Sequence, residues 1–142
     1  MRNMYEVFDD FEMAETKQER MLVIEKNLSQ TLVQVLELTF HPAYQWHITD
    51  IPDDYIYPEQ NKIPGMAPVQ LSTELRKMYM FRKGEQTADN LPPAKRQQLL
   101  LQILESLEPR EAEVLGGILR KDQGVRGLDY EFVKEAFPNL IP

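Results

Sequence analysis

The sequence has no cysteine, which excludes disulfides, thiolate metal sites and a cysteine nucleophile together, and fits a reducing compartment. It has only two histidines, His41 and His47. Their spacing suits neither an i,i+4 pair on a helix nor a His-x-x-x-His metal site, so a structural role is favoured. No apolar run approaches the ~20 residues that a membrane span needs. The N-terminal stretch is acidic and has no apolar signal core, so the expectation is a cytoplasmic chain (of an infected host cell, if viral) with no membrane contact. There is no Gly-x-Ser-x-Gly elbow and no Gly-x-x-x-x-Gly-Lys-Ser/Thr phosphate loop. The paired acids Asp9/Asp10 and Asp53/Asp54 are adjacent, so on a helix their side chains diverge rather than form an acid/base pair. The expectation is a protein that is not an enzyme, with no cofactor and no metal. Only carboxylates converging in three dimensions stay open as a metal site.

The 142 residues are the size of one domain, 42% apolar and 27% charged. The net charge of −7 argues against generic nucleic-acid binding, but it is unevenly placed. Residues 1–60 hold 12 acids and 4 bases, a balance of −8; residues 61–142 hold 11 acids and 12 bases, a balance of +1. Between residues 76 and 96 lie Arg76, Lys77, Arg82, Lys83, Lys95 and Arg96 against Glu85 and Asp89. Such polarity can orient a molecule against a charged partner; solvated helix faces are the better reading of any single charge.

Hydrophobic periodicity predicts helices almost throughout. Met4, Val7, Phe8 and Phe11 make one face over residues 3–13. Thr16 with Glu19 forms a capping-box pattern before a helix to about residue 27, with Met21, Ile24 and Leu28 facing inward. Ser29 caps a third helix carrying Leu32, Val35, Leu36 and Phe40, and Pro42 stops it. Residues 41–71 read as an irregular Pro/aromatic segment pinned by Tyr44, Trp46, Tyr55 and Tyr57. Trp46 fits a base-stacking platform or, more simply, packing. A helix over 72–82 points Leu75, Met78 and Tyr79 inward, and residues 83–90 form a polar loop. Pro92 and Pro93 open a helix with Leu99, Leu100, Ile103, Leu104 and Leu107. Pro109 opens another with Val114, Leu115, Ile118 and Leu119. A last helix over 130–137 is capped by Asp129. Seven helices and no convincing strand predict a single all-α domain over 1–142.

Glycine is scarce, and Gly124 and Gly127 stand together in the loop before the last helix, flanked by Arg120, Lys121 and Arg126. Glycine permits positive φ and close backbone approach, so this loop fits a phosphate cradle as well as an ordinary helix cap and connector.

Three blocks in order carry a family resemblance. They are Thr16-Lys17-Gln18-Glu19-Arg20 with Ile24-Glu25-Lys26-Asn27 through Phe40; Phe81-Arg82-Lys83, then Asn90 before a helix; and Arg120-Lys121-Asp122, the Gly127 loop and Phe137-Pro138-Asn139-Leu140-Ile141-Pro142. The chain resembles the N-terminal helical DNA-binding domain of ATP-dependent DNA ligases, most closely those of T-even bacteriophages. The resemblance implies a compact multi-helix module that lies on the minor-groove side of duplex or nicked DNA and contacts phosphate and sugar. It places Arg82 and Lys83 in one backbone-contacting loop, and Lys121, Arg126 and Gly127 in another. The spacing from Asp122 to Gly127 is one residue longer than in the ligases, Asn139 stands where they have Gly, and the Lys-x-Asp-Gly adenylation motif is absent. The implied role is therefore DNA binding without ligation, accessory to phage replication, repair or recombination. The alternative is a protein-interaction adaptor that has lost DNA binding and contacts a phage or host replication or transcription protein or a virion component, or an acidic imitation of DNA.

Overall fold

The computed structural model describes residues 2–56 and 70–142. Among these, eight α-helices and one 3-10 helix form, and no strand; the class is all-α. Helix α1 (Met4–Met13) buries Met4, Tyr5, Val7, Phe8 and Phe11. Helix α2 (Lys17–Lys26) starts where the Thr16 hydroxyl accepts the Glu19 N–H. Glu19 does not close the reciprocal half of the box; its carboxylate accepts the Glu15 N–H instead, at 3.0 Å. Helix α3 (Gln30–Phe40) starts at Ser29, whose hydroxyl accepts the Leu32 N–H.

Helix α4 (Leu71–Glu74) runs directly into the 3-10 helix Leu75–Phe81. Helices α5 (Gln86–Asn90), α6 (Pro93–Ser106), α7 (Pro109–Arg120) and α8 (Tyr130–Ala136) follow. Pro93 and Pro109 each occupy the first helical position, where a missing N–H costs nothing.

Helix α7 is the centre of the molecule and packs against α1, α3, α4 and α6. Its Leu115, Ile118 and Leu119 are fully buried, each contributing roughly 1.5–3 kcal/mol relative to exposure. Gly117 lets the Gln123 side chain lie against the helix; a Cβ there would stand 2.3 Å from the Gln123 Oε1. Gln123 then donates to the Thr39 hydroxyl at 3.1 Å and the Val114 carbonyl at 3.0 Å, tying the following loop to α3 and α7. At the other end, Phe11 of α1 meets Phe132 of α8 edge-to-face at 4.9 Å. The C-terminal tail packs down on the core: Ile141 is buried, and Lys134 donates to the carbonyls of Pro138 and Ile141.

Three local expectations are corrected. Leu28 lies past the end of α2 and is 60% exposed, because the helix stops before its side chain can turn inward. The polar stretch 83–90 is not all loop, since Gln86–Asn90 form α5. Tyr79 points out and is 52% exposed. The segment winds as a 3-10 helix with three residues per turn, so Leu75, Met78 and Phe81 form the buried row. In the irregular segment, Trp46 is buried and partly buried Tyr44 and Tyr55 pack on the core; Tyr57, Pro58, Pro64 and Pro68 lie outside the described residues.

Candidate nucleic-acid interface

Both loops singled out in the sequence dock at and just past the end of α3, the first on residues 43–47 and the second on Leu38 and His41. The first follows the 3-10 helix. An isolated antiparallel bridge pairs Trp46 with Arg82, the His47 N–H donating to the Phe81 carbonyl at 2.8 Å and the Lys83 N–H to the Gln45 carbonyl at 2.7 Å. The chain then turns at Gly84, in the left-handed region at φ 93°. Asp89 locks the turn by accepting from the Gly84 N–H at 3.1 Å and meeting His47 Nε2 at 2.7 Å. The His47 hydrogen bond, with the Gly84 amide second, holds the Asp89 carboxyl below its ordinary pKa.

Arg82 is held by an aromatic face. Its guanidinium carbon sits 4.3 Å from the centroid of the Tyr44 ring, and Tyr44 stacks on buried Trp46. It also donates to the Ala43 carbonyl at 3.4 Å, while its nearest carboxylate, Glu85, is 3.9 Å away. The Lys83 side chain is exposed and pairs with nothing among the described residues. One face of the 3-10 helix before it carries exposed Arg76 and Tyr79.

The second loop begins with a Schellman motif: the Asp122 N–H donates to the Gly117 carbonyl and the Lys121 N–H to that of Ile118. The left-handed residue that usually follows a helix end as glycine is here Lys121, at φ 63°. Its ammonium turns back under the loop and donates to the carbonyls of Leu38 at 3.0 Å and His41 at 2.8 Å, closing the end of α3. Burial pulls its pKa down to about 8. Arg120 is occupied by Asp50 at 2.7 Å and Glu113 at 3.4 Å, and its hydrogen bond lowers the Asp50 pKa.

Gly124 and Gly127 are both left-handed, at φ 68° and 83°. The Gly124 N–H points at the Asp122 carboxylate at 2.9 Å. A cleft of about 240 Å³ beside it is lined by Asp9, Glu12, Arg110, Glu113 and Arg120, a mixed field in which Asp9 pairs bidentately with Arg110. Arg126 is exposed and donates one N–H to the Glu12 carbonyl at 3.2 Å. Gly127 is required twice over, by its φ and because a Cβ would stand 2.8 Å from the Arg20 Nε.

The two loops therefore differ in what they leave free. In the first, Lys83 is exposed and unpaired among the described residues, while half-buried Arg82 lies on the Tyr44 ring with Glu85 3.9 Å away. In the second loop Arg120 and Lys121 are internally paired, and Arg126 is the cation left exposed. Sequence reasoning missed Tyr44 as the support of Arg82 and Arg20 as the neighbour of Gly127. A clue existed for the exposed Tyr79, in the three-residue spacing of Leu75, Met78 and Phe81. Among the described residues, no group of three or more His, Asp or Glu side chains could hold a metal ion, and no helix is long and apolar enough to cross a membrane.

The fold and this pair of loops define an all-helical module with a basic, aromatic-backed turn on one side. The chain belongs to DUF6433, a family of unknown function, whose model matches residues 7–126. The matched region takes in Arg82, Lys83, Arg120, Lys121, Gly124 and Arg126 and stops one residue before Gly127. No curated protein matches the chain.

Proposed function

We propose that this chain is a non-catalytic DNA-binding module that contacts the backbone of duplex DNA, intact or nicked, and serves replication, repair or recombination. The observation that carries this reading is the turn at Arg82 and Lys83. Arg82 is oriented by the Tyr44 ring and the Ala43 carbonyl, with its nearest carboxylate 3.9 Å away, and Lys83 has no partner among the described residues. On a chain of net charge −7, an exposed Lys83 beside a half-buried, ring-supported Arg82 on a bridge-anchored turn is suited to phosphate oxygens. Arg126 and the amides around Gly127 supply a second, weaker contact.

The test is a salt-titrated binding assay on nicked and intact duplex, comparing the wild type with Arg82→Ala/Lys83→Ala and with Arg120→Ala/Lys121→Ala. Removal of two phosphate contacts should make the slope of log K against log salt shallower by about 1.8. The first double variant should show that change and the second little of it. Absence of wild-type binding at low salt sinks the reading.

A second reading has one observation in its favour. Met13 is 80%, Leu28 60% and Leu22 48% exposed, three large apolar side chains on α1, α2 and the residue pair after α2, in the acidic half of the chain. That surface suits a protein-interaction adaptor. It separates from the first reading in the same assay, because partner capture by such a surface survives loss of Arg82 and Lys83.

A further inference from the structure

Resting on the DNA-binding reading, we propose that the exposed face of the 3-10 helix, Arg76 and Tyr79, with the Arg82–Lys83 turn that follows it, takes an unpaired base of single-stranded DNA, stacked on the Tyr79 ring. In a 3-10 helix residues three apart eclipse one another, with about 6 Å of rise per turn. Arg76 therefore lies one turn before Tyr79 on the same row, and Arg82 follows the helix in extended backbone with its guanidinium on the Tyr44 ring. The opposite row, Leu75, Met78 and Phe81, is buried at 3%, 2% and 0% exposure, so the platform is fixed to the core. Tyr79 is 52% exposed, and its side chain bonds to nothing among the described residues.

The surroundings select the occupant. Glu74 on the neighbouring turn is buried and paired with Lys77 at 2.7 Å, so it adds little negative field to the row. Asp89 is held by His47 and the Gly84 amide. Arg82 and Lys83 continue the positive strip beyond Tyr79. One exposed aromatic ring with Arg76 a turn before it and a cationic turn after the helix, with no second large apolar side chain on the row, is too little for an amphipathic protein helix and enough for one base with its flanking phosphates. Bases in an intact duplex are stacked on each other and offer no face to Tyr79. The site therefore distinguishes a strand with unpaired bases from a closed duplex.

Fluorescence anisotropy with labelled oligothymidine, intact duplex and nicked duplex, at several salt concentrations, tests this with the wild type, Tyr79→Ala, Tyr79→Phe and Arg82→Ala/Lys83→Ala. Tyr79→Ala should weaken oligothymidine binding by about 5- to 150-fold. It should leave the salt slope unchanged, because a stacked ring releases no counterions. Tyr79→Phe should retain most of the affinity, and intact duplex should not discriminate the Tyr79 variants. Equal loss on duplex and single strand, or no loss on either, overturns the stacking site, while sensitivity to Arg82→Ala/Lys83→Ala keeps the DNA reading in place. No binding of any probe by the wild type overturns both. Thermal melting of Tyr79→Ala, expected to match the wild type because the ring is exposed, keeps a folding defect from being mistaken for lost binding.

Discussion

Lys121 shows how one residue's chemistry is decided by its backbone. Among the described residues it is the one non-glycine at positive φ, a conformation that costs an L-residue roughly 1–2 kcal/mol. That turn aims its ammonium at the Leu38 carbonyl, which has no helical donor beyond the end of α3, and at the His41 carbonyl, which also accepts the Tyr44 N–H. The strain and the two hydrogen bonds offset each other, and separate substitutions divide them. Lys121→Met should lose roughly 1.5–3 kcal/mol in urea denaturation, because both carbonyls lose a charged donor. Lys121→Gly should lose about 1 kcal/mol less than Lys121→Met, since glycine accepts the left-handed turn without cost. A Lys121→Met protein as stable as the wild type but with a shallower salt slope would make Lys121 a phosphate ligand instead. This division was not legible in the sequence, since Lys121 beside Gly124 has the same composition whether its side chain faces DNA or a helix end.

At the scale of elements, legibility followed the strength of local chemistry. Starts were readable where a side chain can satisfy a free N–H: Thr16, Ser29 and Asp129 all cap as their types suggest. Pro93 and Pro109 mark the long helices for the complementary reason. The 72–82 segment was not fully readable, because Leu75 and Met78, three apart, fit periods of 3 and 3.6 alike. Only the choice between Tyr79 and Phe81 separates them, and core packing makes it. Likewise the Arg82–Lys83 turn was legible as a cationic pair, but the Tyr44 ring under Arg82 comes from a bridge between segments 36 residues apart, Trp46 and Arg82. The caps offer a direct test. Ser29→Ala should cost about 1 kcal/mol in chemical denaturation, through the Leu32 N–H left without its acceptor at the start of α3. A loss below about 0.3 kcal/mol would mean that water replaces the hydroxyl there.

For the whole molecule, the telling group is Glu111, where α7 meets the start of α1. Asn3 gives α1 no side-chain cap, and the Glu111 carboxylate reaches across to accept the Met4 N–H at 3.0 Å. Burial raises its pKa from 4.5 to about 7; Glu108 and Glu6 push the same way, and the Met4 hydrogen bond pulls against them. A raised acid binds its proton more tightly in the folded state, so this contribution is full below pH 4.5 and is lost as pH climbs through about 7. Its size is at most about 3 kcal/mol. The carboxylates of Asp9, Asp50 and Asp89 act in the opposite sense: Arg110, Arg120 and His47 hold them low, so their stabilisation is present above their ordinary pKa of 3.8 and fades in acid. The two trends together place maximal stability on the acid side of neutrality. Glu111→Gln keeps an acceptor for Met4 and removes the titration. Its melting temperature should stay level from pH 5 to pH 8 where the wild type declines, and should exceed the wild type's at the alkaline end. Parallel curves for the two proteins would show instead that Glu111 ionises in the fold without penalty, its charge met by the amino end of α1.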